Sequence, residues 1–213
     1  MPVRYCDGND RSSFAVVFDF DGTLIDSKKI KLNSYLQAFV TVFNTGPKLK
    51  QPILESSRRT AGANRFIQLQ DTLNCLRLTA TDEQKEAWSR TYSALNSRAM
   101  AHIPEFPSVR NALTELKKKG YHLFAASGIL DEEFQRELAR RKLKDFFIEA
   151  EGGDKPGFLS RLKTRGFEPI LFVGDTGFDE KAAGQAGVHF YLIKNDEDFS
   201  ALPRFLAGST FKP

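Results

Sequence analysis

Two cysteines, one tryptophan and three histidines are all that the 213 residues hold of these types. Cys6 and Cys75 fit no CxxC or metal-ligand spacing, which argues against a thiolate metal site or a redox pair. Free thiols in a reducing compartment, and so a cytoplasmic location, are expected instead. His102, His122 and His189 are scattered, none pointing to a catalytic cysteine, and each is assigned to packing or surface. No apolar run approaches the ~20 residues that span a bilayer. The opening "MPVRYCDGNDRSS" has no apolar segment of secretory-signal type and is expected to be a lead-in to the first strand. A net charge of +4 is too small to argue for nucleic acid. Neither a nucleic-acid nor a membrane partner is expected; monomer and dimer both remain open.

Against these absences stand 41% hydrophobic and 27% charged residues, the balance of a soluble globular chain. Nineteen phenylalanines point to a core packed largely by aromatic rings. The length suits one domain, or a core domain with a modest insert. Charge is unevenly placed. From Lys28 to Arg77 there are nine basic residues against Glu55 and Asp71, a local +7 that leaves −3 for the rest. A field of that sign over a cleft attracts small anions.

Five segments read as strands: 15–20, 121–127, 146–150, 170–174 and 188–193. Helical patterns alternate with them, as in "PSVRNALTELKKKG", where Val109, Ala112, Leu113 and Leu116 share a face. "DEEFQRELARRKL" opens with acids and closes with bases, as the helix dipole favours. This alternation predicts an α/β fold, a doubly wound parallel sheet with helices on both faces. Residues 28–106 break the pattern, with helical spacing and no clear strand. Two amphipathic helices are expected there, one through Leu32, Tyr35, Leu36, Phe39, Val40 and Phe43. The other spans 83–100 with Ala87, Trp88, Thr91, Leu95 and Ala99, and "NTGPKLKQP" is expected to be a loop. The predicted division is a core of 1–26 and 107–213 interrupted by an all-helical insert of 27–106.

The stretch "FAVVFDFDGTLIDS" places Asp19 and Asp21 at the end of an otherwise apolar strand. Side chains two apart on a strand point the same way, so the carboxylates repel unless a cation sits between them. Ligands of open parallel sheets bind beyond the carboxyl ends of the strands. At those ends the sequence offers Ser127 and Gly128 in "AASG", and Asp175 and Asp179 in "FVGDTGFDE". "GGDKPGF", with Lys155, precedes the latter strand. Each has a plainer alternative: a turn at Ser127-Gly128, a surface lysine, and helix-capping acids at Asp175 and Asp179.

In order, spacing and strand context, Asp19 to Thr23, Ser127, Lys155 and Asp175 to Asp179 resemble the four motifs of the haloacid dehalogenase superfamily. The insert resembles the helical cap of its phosphoglycolate phosphatase and β-phosphoglucomutase branch. The resemblance implies a Mg²⁺-dependent phosphatase acting on a small anionic phosphorylated metabolite. Asp19 would be the nucleophile and Asp21 the general acid and base. Thr23, Ser127, Gly128 and Lys155 would hold the phosphoryl group, and Asp19, Asp21, Asp175 and Asp179 the metal. A phosphomutase on the same core, and a catalytically silent binding module, are the alternatives. In the insert, "SSRRTAGANRFIQL" resembles a substrate-touching cap loop, with Arg58, Arg59, Asn64 and Arg65 as candidate contacts. A helix-surface position for these arginines is the competing reading.

Overall fold

In the computed structural model, which describes residues 13–208, five parallel strands form one sheet. The expected N-terminal lead-in, with Cys6, lies outside the described residues apart from Ser13. The strands are β1 (Ala15–Phe18), β2 (His122–Ser127), β3 (Glu149–Gly152), β4 (Ile170–Gly174) and β5 (His189–Leu192). Their order is β3-β2-β1-β4-β5, so β1 is central and pairs with β2 on one side and β4 on the other. Phe18 is in register with both Ala125 and Val173. Because the chain leaves β1 toward one side and later returns on the other, a crevice opens at the carboxyl end of the central strands.

Strand boundaries differ from expectation most at β1 and β3; β3 also runs on to Gly152, β2 starts one residue later and β5 is shorter by one residue at each end. β1 ends at Phe18 rather than Phe20, because Asp19 and Asp21 leave the ladder. The Asp19 amide still donates to the Val173 carbonyl at 2.8 Å, but Leu24 N then turns back to Phe20 O at 2.9 Å. Phe20 stays fully buried inside that turn. β3 starts at Glu149, not Phe146, since Lys144–Phe146 form a 3-10 turn. From that turn Phe146 and Phe147 pack onto the core, while the edge strand carries the polar sequence EAEG.

Between β1 and β2 lie α1 (Lys28–Phe43), α2 (Lys50–Arg59), α3 (Arg65–Leu76) and α4 (Asp82–Met100). They have an apolar cluster of their own, centred on Tyr35, Phe39, Ile53, Leu69, Leu73, Trp88 and Tyr92. Trp88 stacks on Tyr92 at 5.2 Å and meets Tyr35 edge-on at the same distance. Such pairs contribute about 1 kcal/mol each beyond their buried area. The expected faces hold in the main, with Tyr35, Phe39 and Trp88 in the cluster and Leu36, Phe43 and Leu95 packed against it, but Val40 is exposed while Ser34 and Ala38 are covered. In α4 Ser89, Tyr92 and Asn96 are buried, with Ala87, Thr91, Leu95 and Ala99 only partly covered. The expected 44–52 loop is partly regular too, with a 3-10 turn at Pro47–Leu49 leading into α2. Outgoing and returning chains run side by side, Phe106 N donating to Leu24 O at 3.1 Å.

Five helices then follow: α5 (Val109–Lys118), α6 (Asp131–Arg140), α7 (Lys155–Thr164), α8 (Gly177–Ala186) and α9 (Asp196–Gly208). One core cluster joins the Val16 and Phe18 side of β1 to α5, α6 and α9. The other joins the Ala15 and Val17 side to α7 and α8. With both faces covered, the central strands are apolar throughout, and the polar residues of this region collect at the strand ends. Among the described residues no helix is long and apolar enough to cross a membrane.

Candidate active site

The first residue past β1 is Asp19, 2% exposed. Its Oδ1 lies 2.6 Å from Lys155 Nζ. Lys155 is the first residue of α7, just after the capping residue Asp154, so the helix start delivers its side chain under the strand ends. The same ammonium reaches Asp179 Oδ1 at 2.6 Å. Burial alone would lower the proton affinity of Lys155, but the ion pairs with Asp19 and Asp179 outweigh it and raise it. For Asp19 burial dominates: its carboxyl is pushed well above the usual range, Lys155 opposing and Asp179, Asp175 and Asp21 adding to the rise.

Asp175 follows β4, and oxygens of Asp19, Asp175 and Asp179 lie within 4.8 Å of one another. Burial also raises Asp175, with Lys28 opposing it. Asp175 Oδ2 is buried and accepts no directed hydrogen bond. Its neighbour is Lys28 Nζ, 2.8 Å away in an ion pair. Three clustered carboxylates, two of them costly to ionise, suit a hard divalent cation with oxygen ligands. Asp179 is less available. Its Oδ2 already accepts from Thr176 N at 3.0 Å and Thr176 Oγ1 at 2.6 Å. Thr176 and Asp179 form the capping box of α8, so the capping alternative holds for Asp179 alongside its tie to Lys155.

Asp21 lines the cavity but stands outside the acidic cluster. Its carboxylate accepts from Ser27 Oγ at 2.8 Å and Lys31 Nζ at 2.5 Å. Lys31 keeps a raised proton affinity although burial works against it, because Asp21 and then Tyr92 more than compensate.

Thr23, expected to hold phosphate, does not line the cavity and is fully buried. Its hydroxyl lies 3.3 Å from Asp19 Oδ2 and 3.4 Å from Asp175 Oδ1. The turn after β1 directs it at the carboxylates, so it orients them. Ser127 and Gly128 do line the cavity. The Ser127 hydroxyl accepts from Ile129 N at 3.3 Å, leaving its proton to donate.

The loop between α2 and α3 closes over these residues. A Cβ at Gly62, where φ is +92°, would come within 2.4 Å of Thr176 Oγ1. One at Gly128 would stand 3.0 Å from Gly62 O. Glycine at both positions permits the contact between loop and core. Of the four candidates in "SSRRTAGANRFIQL", Arg58 and Arg65 line the cavity. Arg59 does not: it pairs with Asp71 Oδ2 at 2.5 Å and donates to Cys75 Sγ on the helix surface. Asn64 does not either, since it caps α3 by accepting from Phe66 N. Arg65 is 2% exposed and committed to Glu133 Oε2 and Ser93 Oγ, each at 2.5 Å.

The cavity has a volume of about 550 Å³. Its walls also include Lys28, Lys29, Lys31, Gln68 and Tyr92, none singled out from the sequence. The basic excess of 28–77 held the signal for the lysines. Tyr92 carried none, because an aromatic at helical spacing reads as core.

A family model described as haloacid dehalogenase-like hydrolase matches residues 16–193. A phosphoglycolate phosphatase of Aquifex aeolicus is 28% identical over 182 residues, 81% of this chain and 80% of that protein. The crystal structure of a predicted phosphoglycolate phosphatase from Haemophilus somnus superposes with a TM-score of 0.69 at 20% identity. It covers 93% of this chain and 99% of its own. A hydrolase from Pseudomonas syringae gives 0.73 at 19% identity, over 92% and 100%. At these identities the two structures speak for the fold.

Proposed function

The chain belongs to the haloacid dehalogenase-like hydrolase family, and from that premise we propose that it is a Mg²⁺-dependent phosphatase of a small phosphate monoester. The observation that carries the reading is the pairing of Asp19 with Lys155 at 2.6 Å on a cavity floor shared with Asp175. Asp19 attacks phosphorus, forming an Oδ–P bond as the bond to the leaving oxygen breaks. Asp21, held by Ser27 and Lys31, gives that oxygen a proton. It then takes one from the water that attacks phosphorus, and the Oδ–P bond breaks to release phosphate. Lys155 and Ser127 hold phosphoryl oxygens, and Thr23 keeps the Asp19 carboxylate in place.

Asp19, Asp175 and the backbone carbonyl of Asp21 would hold the Mg²⁺, with Asp179 bracing the loop. When bound, the ion neutralises charge on phosphate and nucleophile. The helices α1–α4 act as a cap that excludes bulk water, and residues 27–106 form that unit. Phosphoglycolate, the substrate in the name of the Aquifex relative, is one ester to test.

The test is phosphate release from a panel of esters with and without Mg²⁺, alongside acid-quenched protein digested to locate a phosphorylated aspartate. Metal-dependent turnover with label on Asp19 supports the reading. Turnover of wild type and Asp19→Asn at equal rates overturns it.

A further inference from the structure

Leu32 lies on the stripe of α1 that carries Tyr35, Leu36, Phe39 and Phe43, yet it packs into none of the three apolar clusters of the described residues. It lines the cavity instead and is half-buried there. Ala61 and Ala63, in the loop between α2 and α3, also line the cavity and also stand outside those clusters. From the core side Ile129, two residues past β2, adds an aliphatic side chain that is 9% exposed. Three separate elements thus bring apolar side chains to one space, and more of its wall is apolar than polar. Apolar surface of this kind gains when a ligand covers it.

The charges of the cavity are otherwise engaged. Lys155 pairs with Asp19, Lys31 with Asp21, Lys28 with Asp175 and Arg65 with Glu133. Lys29 and Arg58, which also line it, are exposed to solvent. Beyond the phosphoryl seat and the hydroxyls bonded to its acids, the neutral polar side chains are Ser57 and Gln68. Gln68 already donates to Ala63 O at 2.8 Å, bracing the loop. A polyol would bring several hydroxyls to these two partners, and each hydroxyl left unpaired in an interior is unfavourable. The cavity, about 550 Å³, has far more room than a phosphoryl group fills, so the leaving group must occupy the rest.

We propose that the substrate is a phosphate monoester whose leaving alcohol is an uncharged hydrocarbon, seated against Leu32, Ala61, Ala63 and Ile129. This rests on the phosphatase reading and narrows it to one substrate class. The phosphoryl group takes the charged floor, and carbon buried against the apolar wall supplies the discrimination. A hydroxyl-rich or charged leaving group reaches the same floor but gives up water at that wall with little in return.

The experiment measures kcat and KM with Mg²⁺ along the series ethyl, propyl and butyl phosphate, and for two pairs matched in carbon number. Propyl phosphate is set against glycerol 1-phosphate, and hexyl phosphate against sorbitol 6-phosphate. Acetyl phosphate, a small and reactive substrate, reports the phosphoryl chemistry alone. The expected result is a rise in kcat/KM of about threefold for each added methylene. The alkyl member of each pair should be preferred by about tenfold or more. Leu32→Asn, at a half-buried position outside the packed clusters, should flatten the chain-length slope. Val40→Asn, on the same helix but exposed and away from the cavity, should leave the slope as in wild type. A polyol ester used as well as its alkyl partner, or a slope that Leu32→Asn does not change, overturns the hydrocarbon site while turnover keeps the phosphatase reading intact. Absence of turnover on every substrate, acetyl phosphate included, fails the phosphatase reading and this proposal with it.

Discussion

Arg65 at the start of α3 and Glu133 in the first turn of α6 meet at 2.5 Å, sixty-eight residues apart in sequence. Ser93 of α4 closes the triangle, donating to Glu133 Oε1 while accepting from Arg65. This triad ties the helical insert to the core beside the cavity. Arg65 is nearly dry while Glu133 is 19% exposed, so removing the acid strands a buried guanidinium. Glu133→Gln should destabilise the protein by about 2 kcal/mol in urea melts, less than the ~3–5 of a fully buried pair. Amide exchange around Gly62 should quicken in the same variant.

Lys155 serves two buried carboxylates at once. Lys155→Met should abolish ester turnover and lower stability by about 3–5 kcal/mol, since Asp19 and Asp179 lose their counter-charge. Adding Asp19→Asn should recover part of that stability while turnover stays absent. Denaturant titration of the single and double variants checks the sign of the recovery.

Lys28 contacts Asp175 Oδ2, on a carboxylate proposed to hold the metal, and its own side chain is half exposed. A divalent cation at Asp175 would compete with the Lys28 ammonium for that carboxylate. Lys28→Ala should tighten Mg²⁺ binding about threefold, measured by titration calorimetry without substrate. Weaker binding in the variant would show that Lys28 supports the site.

Gly62 and Gly46 form a matched comparison. At Gly62 the φ of +92° and the Thr176 hydroxyl both oppose a side chain, whereas a Cβ at Gly46 meets nothing within 4 Å. Gly62→Ala should cost about 1–3 kcal/mol and reduce turnover by prising the loop from the core. Gly46 has φ −73°, which alanine adopts freely, so Gly46→Ala should be neutral or stabilising by up to ~1 kcal/mol.

Arg59 and Arg58 are neighbours with different surroundings. Arg59 is held on the surface by Asp71 and Cys75. Arg59→Ala should leave kcat/KM for every ester within about twofold of wild type, as expected for an exposed pair worth little.

Sequence and structure part company where contacts become long-range. The apolar run from Phe14, the alternation of strands and helices and the acids at strand ends are local signals. Order along the chain was therefore enough to read the α/β sheet and the family. Asp19, Ser127, Lys155 and Asp175 share one cavity because parallel strands bring their carboxyl ends together whatever connects them. The motif position of Thr23 says nothing of rotation about the turn after β1. That turn aims the hydroxyl at Asp19 and Asp175 instead of the cavity.

The insert shows the opposite balance. Periodicity located α1 and α4 and most of their buried faces, while the packing of Tyr35 against Trp88 and Tyr92 settled the edges, burying Tyr92 and leaving Val40 out. Arg58, Arg59, Asn64 and Arg65 look alike as polar residues of one loop region. Their surroundings differ: Arg58 faces the open cavity, Asn64 caps α3 two residues on, Arg59 pairs with Asp71 twelve residues on, and Arg65 is fixed by Glu133 far along the chain. The sequence by itself determined the sheet, its polar edge and the chemistry gathered there, because backbone pattern and strand direction are encoded within a few residues. Only the tertiary structure decided which cations face the cavity and which are neutralised. Ion pairing depends on distances between elements that no local pattern specifies.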